Sequence, residues 1–406
     1  MDQDTYLVLR ITGAAPQTGG VLGIPEERSD EVSAAPQPIE YRVDAQTLDQ
    51  QDYRELRHDR QVAAIARPMP LRLIQPVAAS GAPAEPAHIH DATWGVYVTG
   101  ALQSPYVGHG VTVAVLDTGI DAAHEAFRGV ELIQKDFTGE GDGDQHGHGT
   151  HVAGTIFGQT VQGLRYGVAS GVRRALIGKV LGTRRSATTQ ELVAAVQWAV
   201  DGGAQIINMS LGFDFPGLVT WWAEQGLEVD LATSRALAQY RDNLRFFDRL
   251  VDLLRARAAQ GSSALIVAAA GNESKRDIRP DYAIEVAPPA AADGIVAVAA
   301  LQTAGPPHSA LTVAPFSNIR AAVAAPGMGV YSAKRGGGYI SMSGTSMASP
   351  HAAGVAALWA ERQLKRNGIV NIATLDAQLR GNTRHDRLPE ASYLDVGDGL
   401  IAAPLD

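Results

Sequence analysis

Cysteine is missing from all 406 residues of the chain. Its absence excludes disulfide staples, zinc held by thiolates and a thiol nucleophile, but leaves the compartment open, because secreted proteins also do without it. Long hydrophobic runs are missing too. Stretches such as residues 265–270 and 295–301 fall far short of the roughly 20 residues that cross a bilayer, so no membrane partner is expected. Residues 1–10 carry two aspartates and lack both the basic region and the long apolar segment of a secretory signal, which makes a cytoplasmic location the expectation. Positive charge is not in excess either. With 34 Lys and Arg against 43 Asp and Glu the formal net charge is −9, and no field is available to gather nucleic acid or anionic lipid.

The composition that remains is 45% hydrophobic and 19% charged, enough for a large core and a smaller companion unit. Residues 6–12 alternate like a strand, and residues 13–38 dissolve into Gly, Pro, Ala and charge, which reads as a flexible insertion. Helical character over residues 43–57, with Asp44 as the cap, precedes two short strands at 61–66 and 71–76. Residues 1–76 are therefore expected to form a small α+β unit, joined by an exposed linker over 77–92 to a larger unit at 93–406. In that larger unit, short apolar runs at 111–116, 175–180, 205–209, 264–268 and 295–298 alternate with helical segments at 149–157 and 188–200. The pattern predicts an α/β fold, with a mostly parallel central sheet and helices on both faces. An insertion at about 213–262 holds Leu237, Tyr240, Leu244, Phe247, Val251 and Leu254 at helical spacing, so a long amphipathic helix should end near residue 261. Phe215, Trp221 and Trp222 ahead of it suit a cleft rim or lid, a partner surface or plain packing.

Three short motifs carry chemistry. VAVLDTGID places Asp117 at the carboxyl end of a buried strand, where a carboxylate needs a partner. DQHGHGTHVAGT delivers His148 through a Gly-rich loop to a helix start, and GTSMASPH seats Ser346 between small residues ahead of another helix, with Pro350 suited to its first turn. Unpaired N–H groups at such a start favour an oxyanion beside the hydroxyl. Taken singly, each residue also reads as something ordinary: a turn aspartate, a solvated histidine, a serine cap. His146, His148 and His151 together invite a metal, but the glutamate base of an HExxH site is absent, and no metal is expected there.

With Asp117, His148 and Ser346 in that order, each inside its own Gly-rich motif, the chain resembles the subtilisin-like serine proteases over about residues 94–404. The resemblance implies a serine endopeptidase that hydrolyses protein or peptide substrates through an acyl-enzyme. Ser346 would be the nucleophile, His148 the general base and Asp117 the group that orients the imidazole. AAAGNES resembles the family's oxyanion segment and implies that Asn272 donates its amide to the intermediate. IINMSLG implies that Ser210, Leu211 and Gly212 line the substrate strand, with Ala270 and Gly271 walling the primary pocket. The small residues there suit a large apolar side chain, whereas Glu273 at the rim suits a basic one. The positions of the family's tight calcium site are Ala126 and Val161 here, so that site is expected to be absent. Calcium on the acidic loop 140–144 stays open, and no cofactor is required. Residues 1–76 resemble a subtilase prodomain in position and pattern, implying a self-processing zymogen inhibited by its own N-terminal domain, with a cut at residues 76–90; a permanent accessory domain is the competing reading. The alternative for the whole chain is a catalytically idle binding module on the same fold.

Overall fold

Side-chain alternation builds the first sheet. In the computed structural model, which describes residues 4–12, 40–77, 88–89, 91–183, 187–257, 263–304, 310–389 and 391–406, β1 (Asp4–Ile11) buries Leu7, Val8 and Leu9. It pairs antiparallel with β2 (Tyr41–Leu48) and β3 (Val62–Ala66). The helix expected over 43–57 starts later than the sequence suggests, because residues 41–48 alternate and are captured by β1. Helix α1 (Gln50–His58) is capped by Asp49, whose carboxylate accepts from the N–H groups of Gln51 and Asp52 while the Asp52 carboxylate accepts from the Asp49 N–H. Asp44, the expected cap, pairs instead with Arg42 at 2.6 Å. The insertion at 13–38 and most of the linker at 77–92 lie outside the described residues.

The strand expected at 71–76 is shorter and joins a different partner. β4 (Leu71–Leu73) lies outside the three-stranded first sheet and pairs with a strand of the larger unit. Two short strands, β5 (His88–Ile89) and β6 (Ala92–Thr93), and helix α2 (Trp94–Val98) lead into the main sheet.

That sheet grows around β7 (Thr112–Asp117), every residue of which is buried. Its other members are β8 (Glu131–Asp136), β9 (Arg174–Lys179), β10 (Ile206–Met209), β12 (Leu265–Ala269), β13 (Val296–Thr303), β14 (Leu311–Val313) and β15 (Val323–Pro326). The order is β14-β13-β12-β10-β7-β9-β8, with β15 also on β13, and only β14 pairs antiparallel. All five expected apolar runs are strands here, and β10 and β12 are buried throughout, as parallel strands covered by helices must be. Helices α3 (His148–Phe157) and α4 (Thr189–Asp201) follow their strands, the second capped by a Thr188 and Glu191 box. β11 (Leu211–Phe213) continues from β10.

The insertion is more regular than its sequence suggests. Asp214 accepts from the Gly217 N–H and Pro216 occupies the first turn, so α5 (Phe215–Glu224) is a helix that packs against α6 (Val229–Ala256). Phe247, Val251 and Leu254 are buried as the stripe predicts, but Leu237 is 56% exposed because it borders an open cavity beside Phe215 and Tyr240. Trp222 lies under Arg235, 5.2 Å from its ring centre, and with Trp221 lines a cavity of about 460 Å³ that also touches Asp4 and Arg67. The tryptophans thus face the N-terminal strand. After the hairpin of β16 (Val330–Ala333) and β17 (Tyr339–Met342), helix α7 (Thr345–Asn367) packs on β10, β12, β13 and β15, and α3 packs against both α7 and β7.

Candidate active site

The end of β7 and the start of α3 bring Asp117 and His148 together. His148 Nδ1 lies 2.8 Å from Asp117 Oδ1, with both side chains wholly buried. A buried carboxylate accepts, so Nδ1 carries the proton and Nε2 is left as the basic nitrogen. Among the described residues, Nε2 has no hydrogen-bond partner. The Thr118 N–H also donates to Asp117 Oδ1, at 2.7 Å. Gly149 explains why the imidazole can sit this close to β7: a Cβ there would stand 2.1 Å from the Gly119 carbonyl oxygen.

Asp144, quoted in the histidine motif without a role, organises this corner. Its buried carboxylate accepts five hydrogen bonds: from Thr118 Oγ1, from the N–H groups of His146, Gly147 and Thr150, and from Thr150 Oγ1. It therefore ties the residue after Asp117 to the turn that launches His148. Asp144→Ala is expected to orphan several of these donors, to lower stability by about 2 kcal/mol or more, and to reduce turnover more than substrate affinity. Thermal unfolding and the split between kcat and KM check this; an unchanged kcat would remove Asp144 from the account.

Ser346 lies in the first turn of α7, wholly buried. Pro350 falls inside the helix and not in its first turn, so it cannot donate to the Ser346 carbonyl four residues back. Ser210 Oγ takes that place, donating to Ser346 O at 3.3 Å while it also meets Ser349 Oγ at 3.0 Å. The side chain of Ser210, expected on the substrate strand, is thus turned inward to support the serine's helix.

Asn272 is held on the other side. Its Oδ1 accepts from Thr345 N and Thr345 Oγ1 at 2.9 and 2.8 Å, which turns Nδ2 outward. Gly271 N–H donates to the same Thr345 hydroxyl at 3.1 Å, and the Ala270 carbonyl accepts from the Ala287 N–H. Thr345, adjacent to the serine in sequence, is the link that the motif reading passed over.

An intact stretch of the chain occupies the space between these groups. β4 pairs antiparallel with β11, Leu73 opposite Leu211 and Arg72 opposite Gly212. Beyond it, Ser346 Oγ donates to the Ile74 carbonyl at 3.0 Å, Asn272 Nδ2 donates to the Gln75 carbonyl at 2.9 Å, and the Val77 N–H donates to Ser343 O at 2.8 Å. The backbone of residues 211–213 is thus paired with residues 71–73 of the same chain, which runs on through residues 74–77 past Ser346 and Asn272.

His151 Nε2 faces the Val330 and Ile340 carbonyls at 3.0 and 3.2 Å, while His146 is exposed. Burial pushes His151 from 6.5 down to about 3, and burial likewise takes His351, whose Nδ1 faces Met347 O, down to about 4. Both are neutral when folded and charged when unfolded at mild acidity. Stability is therefore full above pH 6.5 and falls as pH drops below it toward 4, where the unfolded chain binds protons that the fold refuses. Unfolding midpoints between pH 7 and 4 should fall, and less steeply in His351→Gln; an equal slope would contradict the assignment.

The mostly parallel α/β sheet, a buried carboxylate–imidazole pair at one strand end and a serine in the first turn of a helix that packs against the imidazole's helix point to a class, the serine proteases. Within it, the chain belongs to the subtilase family, which it matches over residues 108–380. It is 34% identical over 259 residues to subtilisin DY of Bacillus licheniformis, covering 62% of this chain and 77% of the relative. It is 35% identical over 254 residues to a thermostable alkaline protease of Halalkalibacterium halodurans, covering 62% and 57%. It is also 30% identical over 300 residues to subtilisin-like protease 1 of Arthroderma gypseum, covering 72% and 50%. The chain thus spans about half the length of the last two relatives. Among solved structures it is similar to the protease domain of PatA, at a TM-score of 0.51 and 27% identity, over 73% of this chain and 93% of that one.

Proposed function

We propose that this chain is a serine endopeptidase that works through an acyl-enzyme and is blocked by its own residues 71–77. The observation that carries the reading is the Ser346 hydroxyl resting on the Ile74 carbonyl of a chain laid antiparallel along β11. On a substrate in that groove, His148 Nε2 takes the Ser346 Oγ proton as the oxygen attacks the carbonyl carbon, and Asp117 stabilises the imidazolium. Asn272 Nδ2 and the backbone N–H at the helix start bind the oxyanion. His148 then returns the proton to the leaving amine, and water repeats the sequence to free the acid. The reading calls for no cofactor.

The same geometry accounts for the block. Nucleophile and amide donor engage successive carbonyls, Ile74 and Gln75, so neither peptide meets both at once. A turn of the Ile74–Gln75 peptide that brings the Ile74 carbonyl to Asn272, with Arg72 kept opposite Gly212, would permit the cut. The Ile74–Gln75 bond is the candidate, because the next bond is the tertiary amide to Pro76, which lacks an N–H and has a fixed φ. On this reading the maturation cut falls at Ile74–Gln75, just ahead of the residues 76–90 expected from the sequence. Intact-mass measurement of wild type and Ser346→Ala tests the zymogen: wild type should yield residues 1–74 and 75–406, and the variant one uncut chain. One uncut chain from both would sink self-processing.

A further inference from the structure

We propose that Glu273 reads a basic side chain on the substrate, at the residue that lies opposite Gly212; the inference rests on the protease reading above. Arg72 of the blocking strand occupies that position now. Its Nη2 stands 2.6 Å from Glu273 Oε1, with the two side chains 36% and 33% exposed.

The carboxylate is held by the body of the protein and not by Arg72 alone. Glu273 Oε2 accepts from Asn318 Nδ2 at 2.7 Å, and the Glu273 N–H donates to Asn318 Oδ1 at 3.0 Å. Asn318 is wholly buried and donates a further bond to the Glu285 carbonyl at 3.1 Å. Gly271, at φ +114°, makes room for this arrangement: a Cβ would stand 2.3 Å from Asn318 Nδ2 and 2.5 Å from Glu273 Oε2. Removal of the strand therefore leaves an oriented carboxylate with one oxygen unserved. Neighbouring cations are engaged elsewhere, Arg320 with Glu285 at 3.0 Å and Arg276 with Asp395 at 2.7 Å.

The surroundings suit a long basic side chain. A cavity of about 430 Å³ adjoins the pair, walled by Phe213, Phe215, Tyr240, Val286 and Pro288. The methylene stem of Arg or Lys can lie along that wall with its charged head at Glu273. Because the Ile74 carbonyl meets Ser346, a substrate in the same register carries its basic residue third before the scissile bond.

The test uses peptides that differ only at that third position, as Arg, Lys, Leu or Glu, digested by the full chain as wild type, Glu273→Gln and Glu273→Arg. Wild type should cut the Arg and Lys peptides about five-fold faster in kcat/KM than the Leu peptide, the scale of a half-exposed ion pair. Glu273→Gln should bring that ratio close to one, and Glu273→Arg should invert it in favour of Glu. Ratios that neither substitution changes would overturn the proposal. If no variant cuts any peptide, it is the protease reading that fails. Thermal unfolding of Arg72→Glu, Glu273→Arg and the double exchange then decides whether Glu273 reads charge at this position: recovery of the wild-type Tm in the double supports it, and additive losses overturn it.

Discussion

Ser346→Ala is expected to lower peptide turnover by about six orders of magnitude, the scale on which subtilisin loses activity when its nucleophile is removed. Only one oxygen is deleted. Ser346 is wholly buried, and among the described residues its hydroxyl makes one hydrogen bond, to the Ile74 carbonyl of the strap. The helix that carries it is held by other groups: Ser210 supports the Ser346 carbonyl, and Asn272 accepts from Thr345. The fold should therefore survive with an unchanged circular dichroism spectrum and a Tm close to that of wild type. The weak rate left over reflects the oxyanion donors and substrate binding alone. Single-turnover cleavage of a fluorogenic peptide checks this, and a variant that keeps more than a small percentage of wild-type turnover would exclude Ser346 as the nucleophile.

The second large effect is expected at Asp117→Asn, a loss of about four orders of magnitude in kcat with KM little altered. The reasoning concerns one proton. Asp117 Oδ1 accepts from His148 Nδ1 at 2.8 Å, which leaves Nε2 free to take a proton from the serine. An asparagine amide in the same place donates to Nδ1, and the ring proton moves to Nε2. On the proposed mechanism His148 then offers the serine a donor where an acceptor is needed. The exchange is nearly isosteric, so packing around the wholly buried pair changes little, and the loss should appear in turnover far more than in stability. Equal losses in kcat and Tm would point to a merely structural aspartate.

What the sequence disclosed was local. Asp117, His148, Ser346 and Asn272 each sit in a contiguous motif with its own glycines, and the buried parallel strands read as apolar runs because both of their faces are covered. What stayed hidden depended on partners distant in sequence. Residues 41–48 are polar enough to pass for helix, and only pairing with β1 makes them a strand. Leu71–Leu73 reads as a strand in its own right, but nothing in its composition says that it pairs with residues 211–213 and not with the first sheet. Asn318, which aims Glu273, lies 45 residues downstream of it and carries no motif. The helix at 215–224 is signalled only by Asp214 at its cap and Pro216 in its first turn, with no apolar stripe long enough to announce it.

The central claim is that Ser346 is a nucleophile activated by its surroundings and covered by residues 71–77. Labelling of the full-length protein with a fluorophosphonate probe, before and after self-cleavage and in wild type and His148→Ala, tests it most directly when the adduct is located by peptide mass mapping. The account predicts an adduct on Ser346 that appears faster once the chain is cut and is nearly lost in His148→Ala. A folded sample freed of residues 1–74 by separate expression of the two pieces, without an adduct on Ser346, would contradict it and favour an idle binding module.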